Sequence, residues 1–435
     1  MDFFSEKELV TQTGHDISEW PLVIVKELVD NGLDACEEAD IAPVITITAD
    51  AGGITVADNG PGLPEATLKG ALDFTIRASN REAYVSPCRG AQGNALKTLL
   101  PMPRVIDPDN GTLIVAASGR RHVITCGADP ISQRAIIHDD VLECATTGTT
   151  IRLEWSAGER WPFDRAKNQW QRPDYRALLE SLVAGFALFN PHLSITLDYF
   201  GKVTKWKATD PAWVKWKPDK PTSAHWYERA HLERLIGAYV THDRDVGHDR
   251  LVSDLLAEFD GLSGSQKRTK VLDAAGLKRV KLSELVLGDR LDSERIGLLH
   301  QAMQKETRPV KPKYLGIIGE DHFRERFVEM GIEEKSFHYS RKIAKDGLPW
   351  VLESAFGWKG DESRDERSIF SGANWSAAIK NPFRSFGSTG EGLETALADM
   401  RATSEEPIIF ALHLAHPRVE YTDRGKSALV IGGAK

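Results

Sequence analysis

Residues 21–39, PLVIVKELVDNGLDACEEA, constrain this chain more than any other stretch, because they read as one helix with two unlike faces. Pro21 suits a first helical turn, where its missing N–H is no loss. At roughly 100° per residue, Val25, Val29, Gly32, Leu33 and Cys36 fall on one side, while Glu27, Asn31 and Asp34 cluster on the other. Polar residues grouped on one helix face are ordinarily the solvent side, so the segments that follow decide whether these do chemistry. Val44-Ile45-Thr46-Ile47-Thr48, a turn at Ala51-Gly52-Gly53 and Ile54-Thr55-Val56-Ala57 predict a hairpin. Its second strand runs into Asp58-Asn59-Gly60-Pro61-Gly62. A carboxylate at a strand end, followed by a loop kept small by glycine, can accept a hydrogen bond from an exocyclic amine while a ligand lies against the backbone. Asp-Asn-Gly by itself is a common turn. A third element, Arg89 to Leu99 (RGAQGNALKTL), predicts a glycine-bearing loop feeding a helix N-terminus, where free N–H groups favour phosphate.

Composition bounds the alternatives. The 435 residues suggest two to four domains with room for a sizeable core. Hydrophobic residues make up 41% and charged residues 27%, and no apolar run approaches the roughly 18 residues that span a bilayer. The expectation is a soluble, cytoplasmic protein with no membrane partner. Met1-Asp2-Phe3-Phe4-Ser5-Glu6 has no basic region followed by an apolar stretch, so no secretory signal is expected. Cys36, Cys88, Cys126 and Cys144 lie far apart without a CxxC pair, which argues against a zinc site or a disulfide framework and fits a reducing compartment. The net charge of -8 gives no support to wholesale nucleic-acid binding, yet the basic residues are uneven. Residues 201–220 hold six lysines against two aspartates, interleaved with Trp206, Trp213 and Trp216, and residues 265–281 hold six basic residues against Asp273 alone. His242-Asp243-Arg244-Asp245 with His248-Asp249 has the Asp-x-Asp spacing of acidic metal motifs, but no strand ending in a partner Glu lies beside it; it reads as a solvated loop.

The helix, the strand-end carboxylate and the glycine loop, in this order, resemble the Bergerat ATP-binding fold of the GHKL superfamily, which includes the B protein of gyrase, MutL, the ninety-kilodalton heat-shock chaperones and histidine kinases. Within it, KELVDNGLDA at 26–35 and RGAQGNA at 89–95 are most similar to the B subunit of topoisomerase VI. The resemblance implies an α+β chain in three parts: a GHKL ATP-binding domain over 1–220 with a mixed sheet covered by helices, a helical helix-two-turns-helix-like domain over 221–305, and a transducer-like α/β domain over 306–435. It implies ATP and Mg²⁺ as cofactors, with Glu27 as general base for the attacking water, Asn31 as the Mg²⁺ ligand and Asp58 as the adenine contact. Asp34, Gly60, Gly62, Arg89, Gly90, Gln92, Gly93, Asn94, Ala95 and Lys97 would complete the nucleotide surface, and Ala95 stands where the family usually has a third glycine. Thr149 joins them because Gly148-Thr149-Thr150-Ile151-Arg152-Leu153 resembles the family's late Gly-Thr strand. A carboxylate four residues before an amide sits one helical turn away, so one can orient water while the other holds a metal that bridges phosphates. An amide suffices there because the triphosphate supplies charge of its own.

Gly425-Lys426-Ser427 looks like the end of a P-loop, but Glu420 stands where that motif needs glycine, and only eight residues follow Ser427. The resemblance implies a different role, with Lys426 as the switch lysine that reaches back to the γ-phosphate from the transducer-like domain. Residues 222–305 look mainly helical, and IFSGANWSAAI at 369–379 resembles the transducer's run of Phe, Asn and apolar residues. No winged-helix domain with a nucleophilic tyrosine is evident, so DNA cleavage is expected to need a separate cleaving partner similar to the A subunit of topoisomerase VI. Because the chain stops at Lys435, without the long helix by which such relatives engage that partner, engagement is expected to differ or to be lost. The implied function is an ATP-dependent homodimeric clamp: two copies bind ATP, dimerise and close around double-stranded DNA, with the basic stretches tracking phosphate. Phe3 and Phe4 would suit a hydrophobic anchor in an N-terminal arm. The alternative is a GHKL clamp of the chaperone or MORC type, acting on protein or chromosome structure.

Overall fold

The structure is a computed structural model that describes residues 3–74, 83–89, 95–129, 134–158, 161–163, 173–344, 347–361, 363, 365–385, 391–422 and 428–430. Helix α1 (Glu6–Thr13) is capped by the Ser5 side chain and closed by Gly14 in the left-handed region, at φ 69°. Helix α2 (Trp20–Glu38) carries Pro21 in its first turn, as the sequence predicts. Strands β1 (Val44–Asp50) and β2 (Gly53–Asp58) form the expected hairpin, with Asp50 opposite Gly53 and the Gly52 N–H bonded to Asp50 Oδ1 at 2.8 Å. Ile45, Ile47 and Ala49 of β1 enter the core at every second residue.

Three short helices follow, α3 (Glu65–Leu72), α4 (Ala95–Leu99) and α5 (Met102–Ile106). Strands β3 (Thr112–Ala117), β4 (Arg120–Ala128), β5 (Ala135–Glu143) and β6 (Thr149–Glu154) then precede helix α6 (Tyr175–Phe189) and strands β7 (Ser194–Tyr199) and β8 (Lys202–Trp206). Together the strands make an eight-stranded mixed sheet in the order β5-β4-β3-β6-β2-β1-β7-β8. Every neighbouring pair is antiparallel except β1 and β7, and a parallel pair needs a crossover, whose last leg is α6.

The middle of the chain is helical, as expected: α7 (Arg229–Asp245), α8 (Val252–Ala257), α9 (Ser265–Ala275), a two-residue ribbon of β9 (Val286–Leu287) and β10 (Arg290–Leu291), and α10 (Ser293–Glu306). The His242 to Asp249 segment is not the expected solvated loop. It includes the last turn of α7, and Asp243 is buried there, bonded to Arg250 Nη2 and Nε at 2.8 Å. Helix α11 (Glu320–Glu329) leads into a second sheet of β11 (His338–Ile343), β12 (Val351–Trp358), β13 (Ser368–Ala373), β14 (Ser376–Ala377) and β15 (Ile408–Ala415), with α12 (Leu393–Asp399) between its last two strands in sequence. Its order is β11-β12-β15-β13-β14, and only β13 and β15 run parallel.

Helix α6 joins the two sheets. Leu182 to Phe189 are all buried, and a helix that is apolar all round needs cover on every side. The first sheet covers one side through β7, and β13 and β14 cover another. Gly185 permits the approach, since a Cβ there would lie 3.1 Å from Ala377 Cβ. The main apolar core extends from α1 and α2 through α6 to the helical region and the second sheet. Ile409, Ala411 and Ala415 of β15 face it, while Leu412 on the opposite face joins a smaller cluster with Phe383, Leu393, Leu397 and Leu429. The fold class is α+β. No described helix is long and apolar enough to cross a membrane.

Candidate active site

Helix α2 is buried along almost its whole length, and its openings fall at Glu27, Asn31, Asp34 and Ala35 before it ends, exposed, at Glu38. Most of its charged side chains have partners. Lys26 pairs with Asp30 at 2.7 Å, and Asp34 and Glu37 each meet Arg89 at 2.8 Å. Glu27 and Asn31, one turn apart, have no hydrogen bond or ion pair among the described residues. A half-open carboxylate and an exposed amide left unpartnered on an otherwise committed helix are available to a ligand.

Asp58 packs on the same helix because Gly32, the residue after Asn31, lets β2 approach α2: a Cβ on Gly32 would stand 3.2 Å from Asp58 Cβ. Asp58 Oδ1 accepts from the Gly60 N–H at 2.8 Å and from the Thr149 N–H at 3.2 Å, which ties the strand end to the start of β6. Burial pushes the Asp58 carboxyl above its ordinary range, against the pull of those hydrogen bonds. Gly148 has no room for a side chain: a Cβ would sit 1.9 Å from the Asp58 carbonyl oxygen, and its φ is +74°. Gly62, at φ +91°, brings the loop against Ser118, whose Oγ would be 3.1 Å from a Cβ. Asn59 serves the scaffold. Its Oδ1 accepts from the Val44 N–H at 2.8 Å and its Nδ2 donates to the Ala42 carbonyl at 3.0 Å, fixing the loop to the head of β1.

The fold therefore ties Asp58 to Gly60 and Thr149, sets Gly62 against Gly148, and packs Asp58 on Gly32, the residue that follows Asn31 on the helix that carries Glu27. Helix α4 packs on α2 and α3, and Lys97 on it donates to the Asp73 carbonyl at 2.8 Å. Burial draws the Lys97 ammonium below its ordinary range. Gly90, Gln92, Gly93, Asn94 and Lys426 lie outside the described residues, as does the side chain of Ala95.

Arg89 and Asp34 need correction as nucleotide contacts. The Arg89 side chain is wholly buried, and its guanidinium donates to Asp34, to both oxygens of Glu37, to Asn190 Oδ1 and, through Nε, to the Trp375 carbonyl at 3.4 Å. Its charge is spent inside the scaffold, and Asp34 is one of its anchors. Glu37 also takes Lys215 at 2.6 Å and His192 at 3.0 Å. Burial opposes the Glu37 charge, but Arg89, Lys215 and His192 outweigh it and hold the carboxyl well below the usual range.

The basic stretch at 201–220 is corrected in the same way. Lys215 is buried and lies 4.7 Å from the Trp375 ring centroid, Trp216 is buried and Lys217 pairs with Asp40, which leaves Lys202, Lys205, Lys207 and Lys220 exposed. Phe3 and Phe4 pack on Phe74 of their own chain, with ring centroids 5.6 and 5.0 Å away. Sequence reasoning missed Glu37, Asn190, His192 and Lys215 as a group. Their one signal is a charged pair, Glu37-Glu38, at the end of a helix that the apolar pattern buries.

No family model matches the chain. The B subunit of type 2 DNA topoisomerase 6 from Archaeoglobus fulgidus is 23% identical over 428 residues, 94% of this chain and 66% of that protein. The chain is similar to the topoisomerase VI B subunit. The corresponding protein of Saccharolobus islandicus is 24% identical over 368 residues, 79% of this chain and 63% of that one, so the chain spans about two-thirds of the length of these relatives. The ATPase region of Saccharomyces cerevisiae topoisomerase II aligns with 93% of this chain and 76% of its own, at a TM-score of 0.41 and 11% identity.

Proposed function

We propose that this chain is an ATPase that works as a dimerising clamp, like the ATPase subunit of a type IIB DNA topoisomerase. The observation that carries the reading is the pair Glu27 and Asn31, one turn apart on α2 and without partners among the described residues, on the helix that Asp58 approaches at Gly32. The donor set fits Mg-ATP. Asn31 offers one neutral oxygen, and among the described residues no group of three His, Cys, Asp or Glu side chains is arranged to hold a metal, so a Mg²⁺ ion at Asn31 would complete its shell with triphosphate and water oxygens. The ion would neutralise charge on the phosphates as they part.

In this reading Glu27 orients the attacking water and takes its proton, which its half-buried, unpaired carboxylate is free to do. Asp58, fixed by Gly60 and Thr149, accepts from the adenine amine. The glycine loop around Gly90 and Gly93 holds the phosphates, and Lys426 closes on the γ-phosphate from the far end of the chain. The three-part division at 220 and 305, ATP-dependent dimerisation and a cleaving partner like the A subunit of topoisomerase VI belong to the same proposal. Lys202 and Lys205 on the edge strand β8, together with Lys267 and Lys270 on α9, are exposed and would meet double-stranded DNA, with an affinity that falls as salt rises.

The test pairs two variants. Glu27→Ala should keep its affinity for a non-hydrolysable ATP analogue and lose turnover, while Asp58→Asn should weaken that affinity by roughly tenfold to a hundredfold, as for one lost charged hydrogen bond. Wild-type turnover in the first variant, or unchanged affinity in the second, would remove that residue from the site. Co-purification with a tyrosine- and Toprim-containing protein under the analogue separates the topoisomerase reading from a chaperone- or MORC-type clamp.

A further inference from the structure

The turn between β13 and β14 is made by Asn374 and Trp375, both in the left-handed region at φ +50° and +62°. Two-residue hairpin turns of this hand usually place glycine second, because a side chain is disfavoured there. Trp375 occupies that place without any exposure. It is held by its own N–H, which donates to His413 Nε2 at 2.9 Å, and by its carbonyl, which accepts from Asn190 Nδ2 at 2.9 Å. Asn374 Oδ1 accepts from the His416 N–H at 2.9 Å. A disfavoured conformation that its surroundings over-determine marks a place where the fold needs that shape.

What the shape delivers is Ser376. Its hydroxyl lies 2.6 Å from Lys26 Nζ and donates to Asp30 Oδ2 at 2.7 Å, closing a buried triangle with the Lys26–Asp30 pair. Four residues on, Lys380 pairs with Glu19 at 2.7 Å, just before the foot of α2. Glu19 to Asp30 is ~16 Å of helix, and Ser376 to Lys380 spans ~13 Å when extended, so one short segment of the second sheet lies along the first half of α2. Lys26 and Asp30 each immediately precede a residue of the candidate site, Glu27 and Asn31. A rotation or slide of α2 cannot spare one set and move the other.

We propose that Ser376, presented by the Asn374–Trp375 turn, is a positioning residue. Through Lys26 and Asp30 it fixes the rotation of α2 that aims Glu27 and Asn31, and so makes turnover at the nucleotide site depend on the second sheet. This rests on the nucleotide reading above and adds to it a contact between the second sheet and the helix that does the chemistry.

The experiment uses the full chain with Ser376→Ala and Ser376→Thr, the second keeping the hydroxyl. Ser376→Ala should lower kcat for ATP hydrolysis by roughly tenfold to a hundredfold, the scale of a small misplacement of catalytic groups, with affinity for a non-hydrolysable analogue within about twofold of wild type. Ser376→Thr should recover most of the loss. Without nucleotide, amide exchange in Ser376→Ala should quicken in α2 around residues 26–31 as well as in β14. Wild-type kcat in Ser376→Ala, or faster exchange confined to β14, overturns the inference. If the unmodified chain fails to bind the ATP analogue, the nucleotide reading falls, and the exchange pattern in α2 still decides whether Ser376 sets that helix.

Discussion

Acidification from neutral pH should destabilise this protein steeply, because His413 and His322 are held well below the ordinary histidine range by burial. His413 is fully buried, and burial together with the nearby Arg89 charge pushes it down to about 3. His322 is pushed down to about 4 by burial and by Arg326, against the pull of the Leu188 carbonyl. His413 is committed as a neutral ring, since its Nε2 accepts from the Trp375 N–H, and His322 Nε2 lies 2.9 Å from Leu188 O in a buried site that disfavours a second proton. The unfolded chain binds these protons near pH ~6.5 and the folded chain does not, so stability is full above that value and falls as pH drops toward the folded values. Each ring contributes up to ~1.4 kcal/mol per pH unit within the window, and the two together remove about 3 kcal/mol between pH ~6.5 and ~5. That is a large part of an ordinary domain's stability of about 5–15 kcal/mol. Glu37, held well below its ordinary value, adds its own loss only at lower pH and does not blur this window. Denaturant unfolding at a series of pH values from about 7.5 to 5 measures the slope. In His413→Gln, which keeps an acceptor for the Trp375 N–H, the slope should fall by ~1.4 kcal/mol per pH unit. Flat stability across the window, or an unchanged slope in both His413→Gln and His322→Gln, would refute the assignment.

Two further perturbations test the frame of the site. Arg89→Met should cost about 3–5 kcal/mol, because it strands Glu37 and Asp34 in the interior, and unfolding that matches wild type would show that Lys215 and His192 suffice. Gly148→Ala should cost about 2–4 kcal/mol from the left-handed backbone and the collision with Asp58, and should weaken nucleotide binding by moving that carboxylate; wild-type stability with wild-type affinity would contradict the 1.9 Å approach.

Local pattern made α2 and the β1–β2 hairpin legible in the sequence. Alternation over Val44 to Thr48 and the 3.6-residue period over Val25 to Cys36 are each written within a dozen residues, and the structure places those elements where the pattern does. The unpartnered state of Glu27 and Asn31 was not legible, since it depends on how the remaining polar residues of α2 are occupied. Asp30 is occupied by Ser376, 346 residues away, and Arg89 by Trp375, 286 residues away. A sequence read alone gives Arg89 and Lys215 the same standing as any surface cation. Trp213 and Trp216 looked like an aromatic accompaniment to a basic face, but they pack inside, with Trp213 Nε1 bonded to the Ile317 carbonyl. Nothing local distinguishes a lysine that will be buried from one that will be wet; the difference lies in acids that reach it from another part of the chain.

Helix α6 has a consequence for how far this polypeptide can be divided. Gly185 and Phe189 lie against β13 and β14, and His322 hangs from the Leu188 carbonyl. Removing everything after residue 305 would put that side of α6 in water, at a cost of ~5–9 kcal/mol for three large apolar side chains. It would also take Ser376 from Lys26 and the Trp375 carbonyl from Arg89. The first 305 residues are therefore an incomplete body, and a truncated chain that kept the whole glycine loop and the whole of α2 would still lack the wall against which α2 is set.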